Sequence, residues 1–135
     1  MLTLNDVKDQ VDQLARVINV PGELLPTYGS SIDFAHPHIE IHGPSYHYII
    51  IERGQELDNK RTFELYELLY WIFQHVTFSM ASTYELEHRK PHVDTRRLLF
   101  SYQLDLLNNL NKNWKKRREL EIEEILKHHP YSDIN

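Results

Sequence analysis

Cysteine is absent from the 135 residues, which excludes a disulfide framework, a thiolate metal site and a cysteine nucleophile. That absence suits a reducing compartment. No apolar stretch approaches the ~20 residues that a membrane-spanning helix needs; the longest unbroken run extends only from Leu68 to Phe73. The opening segment MLTLNDVKDQVDQ carries no basic region followed by a continuous apolar one, so it does not read as a secretory signal. A soluble, cytoplasmic chain without membrane association is expected. Internal repeats, low-complexity segments, a Gly-rich phosphate loop and a G-x-S-x-G elbow are missing as well, and nucleophilic enzymology is left without a motif.

The remaining composition is that of a folded protein, 41% hydrophobic and 26% charged. The length predicts one domain spanning residues 1–135. Net charge is −5 and is unevenly placed: residues 1–60 hold nine acids against four bases, whereas residues 61–135 balance. An acidic half disfavours nucleic acid as a partner. It suits a basic protein surface, where complementary fields speed encounter, or serves solubility alone.

Hydrophobic spacing divides the chain into elements. Leu4, Val7, Val11, Leu14 and Ile18 recur at three and four, which predicts an amphipathic helix capped by Thr3 or Asn5 and closed by Pro21-Gly22. Val20–Pro37 is a long connection punctuated by proline and glycine, pinned to the core by Tyr28 and Phe34. His38–His42 alternates as a strand, and Tyr46–Arg53 reads as a second. Proline in the Gly43-Pro44-Ser45 turn argues against a two-residue type I′ loop, so three or four residues are expected there. Gly54–Lys60 reads as a polar connection.

Between Leu65 and Phe78 nearly every position is large and apolar or aromatic, which predicts a central helix covered on several sides. Thr62 caps it, Lys90-Pro91 ends it, and a kink or break is expected near His75–Ser79. A third helix, Thr95–Leu110, follows an Asp94 cap and turns Leu98, Leu99, Tyr102, Leu106 and Leu110 inward. Asn111 introduces a fourth over about Lys112–Lys127, and the tail YSDIN is expected to fray. The predicted fold is α+β and predominantly helical: four helices around a long central one, with a small antiparallel sheet or hairpin.

Three constellations could carry function. His38, Glu40 and His42 share one strand face, and two imidazoles with a carboxylate are ligands that zinc or ferrous iron accepts. The same spacing equally describes the solvated face of a half-buried hairpin, with Ile39 and Ile41 inward. Lys115–Arg118 is basic, but Glu119 and Glu121 stand where helix spacing pairs them with Lys115 and Arg117, giving a self-neutralised face rather than a nucleic-acid patch. Glu52-Arg53-Gly54-Gln55-Glu56 leaves an apolar strand through a glycine, either as a binding edge or as an Arg53 ion pair that supports the loop.

Several ordered segments resemble a known family: Leu25-Pro26-Thr27-Tyr28-Gly29, Pro37-His38-Ile39-Glu40, and Tyr46-His47-Tyr48 running into Glu52-Arg53-Gly54-Gln55-Glu56-Leu57. Further on come Glu67-Leu68-Leu69-Tyr70-Trp71-Ile72-Phe73, Val76-Thr77-Phe78-Ser79-Met80-Ala81 and Tyr84-Glu85-Leu86. From about Leu25 to Pro130 the chain resembles the immunity protein 63 family of bacterial polymorphic toxin systems. The resemblance implies a cytoplasmic, non-enzymatic protein without a cofactor that binds and neutralises a cognate toxin protein. It carries over no contact residues. From the residues themselves, the expected partner-binding set is Tyr28, Tyr46 and Tyr48 as aromatic anchors with Glu52, Arg53, Glu56 and Asp58 as the charged edge. The alternative is a metal-binding protein or metal-dependent enzyme built on the hairpin His/Glu cluster. Oligomeric state is open at this level.

Overall fold

In the computed structural model, which describes residues 2–134, Thr3 opens helix α1 (Leu4–Val17) with a reciprocal cap. The Thr3 hydroxyl accepts from the Asp6 amide at 3.1 Å, and the Asp6 carboxylate accepts from the Thr3 amide at 3.0 Å. Val7, Val11 and Ala15, one per turn, are buried. The chain gathers into two compact units, Met1–Phe73 and Gln74–Asn135.

The first unit holds a four-stranded mixed sheet in the order β1-β2-β3-β4. The strands are β1 (Thr27–Tyr28), β2 (Pro37–His42), β3 (Ser45–Glu52) and β4 (Gln55–Thr62). β1 runs parallel to β2, and the other pairings are antiparallel. Two sequence expectations are corrected here. The β2–β3 loop is a two-residue turn, because His42 pairs with Ser45. Gly43 supplies a positive φ of 56° and Pro44 its fixed negative one, the sign pattern of type II′ rather than I′. The supposed polar connection after Gly54 is a full strand. β4 contains no aromatic residue and only Thr62 among β-branched ones, so its strand character comes from the turn and from pairing with β3.

Burial along β2 follows position as much as face. His38 and Ile39, neighbours on opposite faces, are 1% and 0% exposed, while His42 is exposed at the strand's far end. The β2 start is therefore covered on both sides, and the histidine face is not uniformly solvated. Tyr46, Tyr48 and Ile49 of β3 are also buried.

Helix α2 runs unbroken from Leu65 to Glu87, through the stretch where a break was expected. Leu68, Leu69, Tyr70, Ile72, Phe73, Val76 and Ala81 are buried along it, as the dense apolar sequence requires.

In the second unit, Asp94 caps helix α3 (Thr95–Leu110) and Asn111 caps helix α4 (Lys112–His128). The α3 face is rotated from the leucine stripe: Phe100, Gln103, Leu106 and Leu107 are buried. Gln103, fully buried, donates to the Gln74 carbonyl at 3.0 Å and the Thr77 hydroxyl at 3.2 Å, and accepts from Arg118 Nε at 3.0 Å. On α4, Trp114, Arg118 and Ile122 are buried, whereas Leu120 is 66% exposed. The tail through Ile134 is not frayed. The Ser132 amide donates to Asp94, the Asp133 carboxylate pairs with Arg97 at 2.9 Å, and the Ile134 amide donates to the His92 carbonyl. Arg97 also lies 4.2 Å from the Tyr131 ring centre.

Candidate partner-binding surface

The β3–β4 turn is built on Arg53 and Gly54, both at positive φ (53° and 74°), with Glu52 paired to Gln55. Positive φ at both central positions is the type I′ hairpin turn, whose twist matches the strands it joins. Gly54 takes that conformation without penalty; Arg53 does so at a cost of roughly 1–2 kcal/mol. Asp33, twenty residues upstream, offsets it. Its carboxylate accepts from the Arg53 and Gly54 amides, each at 3.1 Å.

The segment that delivers Asp33 is itself left-handed. Asp33, Phe34 and Ala35 have φ of 64°, 59° and 58°. Three consecutive non-glycine residues in this region persist only where surrounding contacts over-determine them. Those contacts are present: the Asp33 amide donates to Ser31 Oγ at 2.8 Å, the Ala35 amide to the Ile51 carbonyl at 2.9 Å, and the His36 amide to the Asp33 carbonyl at 3.1 Å. His36 Nε2 lies 2.7 Å from the Leu25 carbonyl and ties the loop back to its start.

The outcome is that Phe34, expected to pin the loop inward, is 85% exposed. Ile32 and Leu57 are also exposed. Glu52, Arg53, Glu56 and Asp58 are exposed as well, and among the described residues none of these four side chains makes a hydrogen bond or ion pair. The Arg53 ion pair entertained from sequence is not formed. A strained, tightly held loop thus exposes the aromatic ring that follows Asp33, whose carboxylate is bonded to the Arg53-Gly54 turn.

The three tyrosines lie elsewhere. Tyr46 and Tyr48 are 4% and 3% exposed, so their rings belong to the packed sheet and not to a free surface. Lys60 covers Tyr48, its ammonium 5.3 Å from the ring centre and 5.3 Å from that of Trp71. Burial, with the nearby Asp58 charge adding to it, pushes the Tyr48 phenol well above its usual range. Tyr28 is half-buried; its hydroxyl is buried without a hydrogen-bond partner among the described residues, and burial followed by the Asp12 charge raises its pKa likewise. The four charged residues of the expected set are therefore exposed, whereas Tyr46 and Tyr48 are buried, Tyr48 beneath Lys60 and close to Asp58. Phe34 is the exposed aromatic ring instead, and nothing in the sequence pattern distinguished it, because exposure here comes from backbone conformation.

The histidine face forms a hydrogen-bonded ladder. Glu40 places one oxygen 2.6 Å from His38 Nε2 and the other 3.0 Å from His42 Nε2. These bonds, His38's first, hold the Glu40 carboxyl below its usual range despite the opposing effect of burial. His47 lies between Ser45 Oγ at 3.1 Å and Asn59 Oδ1 at 2.9 Å. Among the described residues no group of three or more His, Asp or Glu is arranged to hold a metal ion. The basic run on α4 is paired as its spacing predicts: Lys115 with Glu119 at 3.4 Å, Arg117 with Glu121 at 3.7 Å and Arg118 with Glu121 at 3.1 Å. Among the described residues no helix is long and apolar enough to cross a membrane.

Residues 42–124 match the family model described as Immunity protein 63. The matched span includes the β3–β4 hairpin and its charged turn; the left-handed loop carrying Phe34 precedes it. The chain has no match among curated proteins or among solved structures.

Proposed function

The chain belongs to the immunity protein 63 family, and from that premise we propose that it binds and neutralises a cognate bacterial polymorphic toxin, without catalysis, in the cytoplasm of the cell that makes the toxin. The observation that carries the site is Phe34, 85% exposed on a left-handed turn clamped to the β3–β4 hairpin. An exposed aromatic on a rigid, strained loop loses little entropy on docking and fills a pocket on the opposite surface. Glu52 and Glu56 beside it meet basic groups of the toxin, and Arg53 supplies one counter-charge that fixes register. Ile32 and Leu57 extend the apolar centre.

Neutralisation on this reading is steric occlusion assisted by an acidic surface. Tyr28, half-buried, sits at the margin of the contact, while Tyr46 and Tyr48 support it from within. Residues 1–135 act as one functional module. The test is co-expression with the toxin encoded beside this chain, followed by co-purification and growth rescue. Binding and rescue, both weakened by Phe34→Ala, are expected. A soluble chain that neither binds nor rescues against any neighbouring toxin overturns the reading.

A further inference from the structure

Among the described residues, the sheet ends on a strand with no paired neighbour on its outer side. β4 is the last strand in the order, and seven of its eight residues are exposed, with Thr62 half-exposed. At ~3.4 Å per residue it is about 27 Å long, whereas β1 at the opposite edge has two residues. Alternate backbone N–H and C=O groups of such an edge point away from the sheet and are free to pair with another strand.

The charges on β4 specify what would pair. Gln55-Glu56-Leu57-Asp58 is acidic, and Asn59-Lys60-Arg61-Thr62 is basic. A strand laid antiparallel against a second copy of itself sets the acidic half of each against the basic half of the other. Faces agree too. Asp58 pairs with Ile50 and Lys60 with Tyr48, two residues apart on β3, so both side chains project from one face. A two-fold axis through Asn59, perpendicular to the sheet, then places Asp58 opposite Lys60 of the second copy, twice, on that face. Lys60 is held in position by the Tyr48 and Trp71 rings, and Asp58 has no side-chain partner among the described residues. The irregularity between Ile50 and Ile51, which leaves Leu57 unpaired, interrupts the acidic end and discourages pairing in shifted registers.

We propose that β4 is a self-association edge through which two copies of this chain form an antiparallel dimer with a continuous eight-stranded sheet. This goes beyond the toxin-binding reading, whose Glu56 and Leu57 lie on the same strand, and assigns Asp58 to the contact between copies. A single strand pair is a small interface, so the equilibrium depends on concentration.

Analytical ultracentrifugation of the full chain from about 1 µM to about 1 mM, where a small interface dissociates, tests it. The wild type is expected to shift from monomer to dimer over that range. Asp58→Lys and Lys60→Asp should each weaken the dimer about tenfold or more, since each sets like charges opposite each other. An equimolar mixture of the two variants should recover dimer, because in the mixed pair every introduced charge faces its opposite. Circular dichroism checks that each variant is folded. If Lys60→Asp is unstable through loss of its ring contacts, Asp58→Lys at an exposed position still decides. A dimer unaffected by Asp58→Lys, or a mixture that stays monomeric, overturns the pairing. So does a monomeric wild type whose β4 amides gain exchange protection only when toxin is added, which would make the occupant a toxin strand.

Discussion

The carboxylate of Asp33 grips the backbone of Arg53. One oxygen accepts from the Arg53 amide and the other from the Gly54 amide, both at 3.1 Å. Through this clamp two segments twenty residues apart are joined. The loop conformation that exposes Phe34 and the hairpin turn that exposes Glu52 and Arg53 depend on the same side chain.

Asp33→Ala should therefore act on both. Losing two hydrogen bonds to a charged acceptor is expected to lower stability by about 1–3 kcal/mol in urea denaturation. Amide exchange should accelerate at residues 33–36 and 53–54 more than in α3 or α4. Uniform acceleration across the chain would contradict a local clamp.

Phe34→Ala separates binding from folding. The ring is 85% exposed, so stability should change by less than about 0.5 kcal/mol. Toxin affinity should fall about 10- to 100-fold by isothermal titration calorimetry, the effect of removing an aromatic anchor. Unchanged affinity would remove Phe34 from the contact.

Glu40 sets an acid dependence. Its folded-state pKa lies below the reference value of 4.5 because His38, chiefly, and His42 hydrogen-bond its carboxylate. A depressed carboxylate pKa gives stability that is present above the unfolded value and lost as pH falls through the folded one. Wild-type stability should thus fall as pH drops below about 4.5, and Glu40→Gln should show a shallower fall over the same window. Parallel pH profiles for the two proteins would exclude this contribution.

Gln103 tests the polar centre of the second unit. It is fully buried and bridges the Gln74 carbonyl, Thr77 and Arg118. Gln103→Leu removes the group that accepts from Arg118 Nε, and Arg118 is 7% exposed. A loss of about 2–3 kcal/mol in chemical denaturation is expected. An apolar swap that proved neutral would mean the network is not required.

Much of this architecture was legible from the residues. Thr3, Asp94 and Asn111 cap their helices as their short polar side chains suggest, and the dense apolar run from Leu65 produces a heavily buried helix. β3 declared itself through Tyr46, Tyr48 and the isoleucines. β4 did not, because QELDNKRT has little intrinsic strand preference; it pairs because Arg53-Gly54 turns the chain back onto β3. The inward face of α3 was displaced because Gln103, a polar residue, is the one satisfied in the interior. The exposure of Glu52, Arg53, Glu56 and Asp58 around a glycine turn was legible from their charge. Which aromatic ring is exposed was not, since the choice among Phe34, Tyr46 and Tyr48 is made by backbone φ and by long-range hydrogen bonds that local spacing does not encode. The tail looked free because its anchors, Asp94 and Arg97, lie more than thirty residues earlier.

The most direct measurement is equilibrium binding of the purified chain to the toxin encoded beside it, with wild type and Phe34→Ala titrated in parallel and toxin activity read in the same samples. A saturable complex that suppresses toxin activity, and that Phe34→Ala weakens at least about tenfold, is the result predicted. A folded wild-type chain that forms no complex, or that suppresses the toxin equally well without the Phe34 ring, would contradict it.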